Sequence, residues 1–175
     1  MIDKELNIWS VALIILALCS GLMSIILPIE EIFLQPIMLM HGAEIWRIPL
    51  ETLPIGIRIG VGLLCSAPHI AWIYAIIQVI RLARNYRRGI LFDTCNTSCF
   101  IRIGIALAFM GVINSATFPL LSVILYYGGM TPALADISIL YAIQPEYIMA
   151  GAFFYVVGRI MRRASALHDF EKYTI

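Results

Sequence analysis

The sequence predicts an all-α integral membrane protein, one bundle of four transmembrane helices with N-in/C-in topology. Three observations carry this. Hydrophobic residues make up 61% of the 175 and charged residues 13%, about half the charged share of an ordinary soluble domain. Residues 8–27, 59–80 and 103–127 contain no charged side chain, and each run reaches the roughly 20 residues that a helix needs to cross a bilayer. Of the 12 lysines and arginines, Lys4, Arg81, Arg84, Arg87, Arg88, Arg102, Arg159, Arg162, Arg163 and Lys172 fall on one side of a four-span arrangement. The positive-inside rule makes that side the cytoplasm. Arg47 and Arg58 fall on the other side, with Glu30, Glu31, Glu44, Glu51, Asp136 and Glu146.

The spans are placed at about residues 8–27, 57–82, 101–127 and 139–161, with an outer loop 28–54, an inner turn 83–100 and a cytoplasmic tail 162–175, all in one domain. The first helix is expected to end at Pro28, where the ring interrupts the hydrogen-bond ladder. Lys4 stands between Asp3 and Glu5, so the segment lacks the positive start of a signal peptide and reads as a retained anchor. The outer loop contains Pro36 and Pro49 and cannot be one helix. Its apolar residues Ile32, Phe33, Ile37, Met38, Leu39 and Met40, with Trp46, suit packing onto the bundle or lying on the outer membrane surface. The second helix is stopped by Gly89. Asp93, Thr94, Asn96 and Thr97 offer caps for the third, which runs to Tyr127 before Gly128, Gly129 and Pro132. The fourth carries Pro145 and Glu146 in its first turn, placed near the outer interface, where proline is tolerated and glutamate suits the helix dipole. Arg159, Arg162 and Arg163 then snorkel to the inner headgroups.

The chain has no HExxH, GxSxG or phosphate-loop pattern, and no acid, base and nucleophile set is visible, so an enzyme is not expected. No cofactor is implied. Ionisable and amide groups inside membrane spans are the default functional candidates. His69, Asn114 and Glu146 form the candidate intramembrane polar site, with Gln78 as a further polar group. His69 itself is expected to be structural, bonded to Asn114, Ser115, Thr117 or a freed carbonyl. Cys95 and Cys99 stand four apart, which can place two ligands on one helical turn, but a zinc site needs four and no second pair exists. Cys19 and Cys65 read as small apolar fillers. Small residues recur at Ala67, Ala71 and Ala75 and at Gly104, Ala108, Gly111 and Ser115. They suit either a homodimer interface or packing within one chain. The arginine cluster beside the membrane suits anionic lipid headgroups rather than direct contact with nucleic acid.

Asn85-Tyr86-Arg87-Arg88-Gly89-Ile90-Leu91-Phe92, then Asn96 and Arg102-Ile103-Gly104, then Ala166-Leu167-His168-Asp169-Phe170-Glu171-Lys172-Tyr173-Thr174-Ile175 resemble the corresponding stretches of a bacterial family of small four-helix membrane proteins, catalogued as domain of unknown function 2975. The likeness covers roughly residues 80–175. It implies a setting in the bacterial cytoplasmic membrane and a cytoplasmic partner such as a helix-turn-helix regulator, and it implies no activity. The long apolar outer loop departs from the family pattern. Arg84, Arg87, Arg88, Phe92, Asp169, Glu171 and Ile175 are the candidate partner or lipid surface on the cytoplasmic face. The expectation is a non-enzymatic sensory or regulatory membrane protein. The alternative is a small transport or efflux component, or an accessory subunit of a membrane complex.

Overall fold

Four helices dominate the computed structural model, which describes residues 4–34, 36–41, 44–90, 93–135 and 144–173; for residues 4, 6, 27–34, 40 and 167–173 the backbone alone is described. The elements are α1 (Lys4–Leu34), β1 (Ile37–His41), β2 (Glu44–Ile48), a 3-10 turn (Leu50–Thr52), α2 (Ile55–Arg87), α3 (Thr94–Tyr127) and α4 (Pro145–Tyr173). Three of the helices, α1, α2 and α3, are long and apolar enough to cross a membrane. Large apolar side chains point outward along the bundle: Leu16, Leu63, Ile70 and Phe153 are each about two-thirds exposed. A surface of that kind is stable in lipid and costly in water.

The first helix does not stop at Pro28 as expected but continues to Leu34. A proline removes one rung of the ladder, the N–H that would have met the Ser24 carbonyl, and leaves the remaining rungs intact. Proline is tolerated inside α2 (Pro68) and α3 (Pro119) in the same way.

Part of the stretch expected as an outer loop is an antiparallel hairpin, paired Ile37 to Ile48 and Leu39 to Trp46. Its side chains alternate, with Leu39 and Ile48 buried and Met38 and Arg47 exposed, the period-2 pattern of a strand with one covered face. That face, with Leu50 and Leu53 from the 3-10 turn, packs on Val61 of α2, Leu121 and Leu125 of α3, and Ala135. The hairpin therefore caps one end of the α2–α3 pair.

Both of these long helices end in the same way. Gly89 (φ 74°) and Gly129 (φ 69°) take the left-handed conformation. Gly89 N–H donates to the Tyr86 carbonyl and Ile90 N–H to that of Asn85; Gly129 and Met130 repeat the pattern on Tyr126 and Leu125. This is the Schellman closure, which satisfies the last free carbonyls of a helix. The turn after α2 is short, since α3 opens at Thr94 with Asp93 as its N-cap.

α3 and α4 run antiparallel at near-contact distance. A Cβ built on Gly104 would lie 2.6 Å from the Gly151 carbonyl oxygen and 2.6 Å from the Tyr155 nitrogen. One on Gly151 would meet the Ala108 nitrogen at 2.6 Å, and one on Gly158 would meet Ile101. The small-residue stripe of α3 is thus used within the chain, against α4. Gly104→Ala and Gly151→Ala are each expected to cost about 1–3 kcal/mol by overpacking, seen as a lowered melting temperature in detergent. Gly60→Ala, at a position with nothing within 4 Å, should leave the melting temperature unchanged.

Candidate functional site

Polar side chains gather at one level inside the apolar runs. Ser24 of α1, Pro68, His69 and Trp72 of α2, Met110 and Asn114 of α3, and Tyr147 of α4 line a cavity of about 210 Å³. A cavity of about 150 Å³ accepts benzene, so this one has room for a ring with one or two polar substituents.

The position of each group follows from local bonding. The Trp72 indole N–H donates to the Ser20 hydroxyl at 3.0 Å, tying α2 to α1. Ser24 donates back to the Ser20 carbonyl at 2.9 Å, the usual bond of a hydroxyl inside a helix. Asn114 donates its amide to the Gln144 side-chain oxygen, and the Gln144 backbone N–H donates to the Ser115 hydroxyl at 3.3 Å. Ser115 in turn donates to the Gly111 carbonyl at 2.7 Å. This chain of bonds fixes where α4 begins. Twelve residues separate Ser115 from the end of α3 at Tyr127, so α4 starts about 18 Å short of that end. Glu146 is consequently level with the middle of α3, not with its outer end where the sequence reading put it, and it is exposed and does not line the cavity.

Of the expected intramembrane set, His69 and Asn114 are brought to one cavity and Glu146 is not. Ser115 and Thr117 bond to carbonyls of their own helix, so neither is a partner for His69. Among the described residues no hydrogen bond reaches the His69 ring, which is one of the groups that line the cavity. The Asn114 side-chain oxygen is likewise uncommitted among the described residues, because its bond to Gln144 uses the amide nitrogen. Gln78 lies fully buried elsewhere on α2, its side-chain oxygen without a partner among the described residues. Ser24, Trp72 and Tyr147 were not picked out from sequence. The Ser20 and Ser24 hydroxyls, four apart in an apolar helix, were the available signal.

At the other candidate surface, Arg84, Arg87 and Arg88 are exposed at the end of α2. Arg87 donates to the Asn7 side chain at 3.2 Å. Phe92 and Ile175 lie outside the described residues, and Asp169 and Glu171 are described only as part of α4. The turn itself is held by asparagines. Asn85 donates to Asn96 at 2.8 Å, and Asn96 donates to the Ile90 carbonyl at 2.7 Å. Asn96 is fully buried.

Compared with protein-family models, curated proteins and solved structures, the chain matches none of them.

Trp72→Phe keeps the ring and removes the bond to Ser20. It should cost about 0.6–1.7 kcal/mol, the measured span for hydrogen bonds between membrane helices, read by unfolding in detergent. Asn114→Leu should instead raise amide exchange at residues 144–150, because it releases the start of α4.

Proposed function

We propose that this chain is a four-span protein of the bacterial cytoplasmic membrane, both termini inside, that binds a small polar molecule in the cavity around His69 and Asn114 and reports its presence through the cytoplasmic face, without catalysis. The observation that carries this reading is that all four helices contribute to one cavity. A molecule bound there touches every helix, so it favours whichever arrangement of the bundle fits it better, and the population shifts accordingly. The docking surface is the exposed Arg84, Arg87 and Arg88, which anionic lipid also attracts. The partner there is a cytoplasmic protein such as the regulator that the family resemblance implies.

The fourth span and the orientation belong to the same proposal. α4 lies antiparallel along the first half of α3 through Gly151 and Gly158, which supports its passing through the part of the membrane that this half occupies, with residues before Pro145 completing the span. Arg81, Arg84, Arg87 and Arg88 at the end of α2 and Arg102 near the start of α3 gather at one end with Arg159, Arg162 and Arg163 of α4, and the positive-inside rule assigns that end to the cytoplasm. Reporter fusions after residues 40, 92, 131 and 175 should read out, in, out, in; an outside reading at 92 would overturn this orientation.

A transport role is the second reading. The feature that favours it is the break in the helical frame at the cavity: α4 begins next to it, and Pro68, inside the continuous α2, frees a backbone carbonyl beside it. Transporters build intramembrane sites from discontinuous helices. Accessibility separates the two. In a background without native cysteines, Ser24→Cys should react with membrane-permeant N-ethylmaleimide in either case. A charged methanethiosulfonate reagent should reach it from one face at most in a sensor and from both faces in a transporter. No reaction with either reagent would mean a sealed structural void and would overturn both.

A further inference from the structure

The first turn of α3 carries a second arrangement that is independent of the cavity. Cys95 and Cys99 are both free. They stand one helical turn apart at the start of α3 and so share a face. Cys95 is exposed and Cys99 is 3% exposed, so one sulfur meets solvent while the other is shielded behind it. The Asn85 side-chain amide donates to the Cys95 sulfur at 3.7 Å. Cys95 also sits in the first helical turn, where backbone N–H groups have no partner within the helix. Burial, with Cys95 beside it, pushes the Cys99 thiol pKa up, and Arg102 and Arg81 offset part of that rise.

We propose that Cys95 and Cys99 form a peroxide-responsive dithiol, with Cys95 as the sulfur that reacts and Cys99 as the one that resolves. The Cys95 thiolate attacks one oxygen of a hydroperoxide. The O–O bond breaks, the leaving oxygen takes up the proton that Cys95 lost, and Cys95 becomes a sulfenic acid. The Cys99 sulfur then attacks the Cys95 sulfur, the S–O bond breaks, and hydroxide leaves with the Cys99 proton as water. Two thiols are oxidised to one disulfide, and the peroxide is reduced to water, or to water and an alcohol.

Geometry makes this a switch. Cβ atoms four apart on a helix are about 5–6 Å from each other, whereas a disulfide wants about 3.5–4.5 Å. Closing the bond therefore distorts the first turn of α3. That turn holds Asn96, the residue that joins Asn85 to the Ile90 carbonyl, and Cys95 itself accepts from Asn85. Oxidation thus pulls on the contacts that shape the α2–α3 turn. In the orientation proposed above this turn faces the cytoplasm, where dithiols rest reduced and a disulfide is a transient signal.

The test uses the full chain purified in detergent, so it depends on neither orientation nor cavity ligand. Hydrogen peroxide should remove two hydrogens from the tryptic peptide Gly89–Arg102, and dithiothreitol should restore them. In Cys99→Ser, Cys95 should accumulate as a sulfenic acid that dimedone captures; Cys95→Ser should form no disulfide in that peptide. Oxidation should raise amide exchange over residues 85–99 in the natural sequence and in neither variant. The proposal is overturned if dimedone labels Cys95 of the natural sequence as fully as it labels Cys99→Ser. It is also overturned if the disulfides formed involve Cys19, Cys65 or a second chain, or if the intrahelical disulfide forms without any change in exchange. A sealed cavity in the Ser24→Cys experiment would leave these results untouched.

Discussion

Between helices surrounded by lipid there is no hydrophobic push, because an apolar side chain gains little by exchanging lipid for protein. What holds such helices together is closeness, and in this chain two backbones come close where Gly104 meets Gly151. With no side chain between them, the two backbones approach until any added carbon would touch main-chain atoms. The contact does more than join α3 to α4. It fixes the register of the pair, and the bonds that Asn114 donates to Gln144 and that the Gln144 N–H donates to Ser115 then fix where α4 starts. That start brings Tyr147 beside His69. The cavity is therefore a consequence of glycine packing well away from it.

The amide bonds at the α2–α3 turn tie α3 to its other neighbour, α2. Asn85, Gly89, Asn96 and Gly104 all fall in the stretches on which the sequence reading rested its family expectation, and each has a structural task here: the first and third clamp the turn, the second closes α2, and the last admits α4. Residues that stand out in a motif are easily read as a binding surface. Here they account for a shape, and the exposed arginines beside them are what a partner would meet.

Much of the helical frame was legible in the sequence because a charge-free run of about 20 residues has few other uses. Gly89 was legible as a terminator for the same kind of reason: a left-handed residue after a helix is usually glycine. Pro28 misled, because the rule that proline ends a helix is strongest in water, where broken helices are readily solvated. The hairpin was hidden because each strand is five residues long, too short for alternation to stand out in an apolar stretch. His69 and Asn114 could be read as polar groups in apolar surroundings, but their companions could not. Ser24, Trp72 and Tyr147 join them only once the registers of α1 on α2 and of α4 on α3 are known. The level of Glu146 depends on those same registers.

The helices are unequally enclosed. Of the most apolar stretch of α1, 17% is buried, against 28% for α2 and for α3, and its extensive contacts are with α2. Yet α1 supplies Ser24 to the cavity. If a molecule enters the cavity as proposed, α1 is therefore the helix whose displacement meets the least resistance. A molecule dissolved in the bilayer could reach His69 by displacing α1 sideways, with no aqueous route. Its apparent affinity would then track its partition coefficient as well as its fit, and a series of compounds that fit equally well would rank by their solubility in lipid.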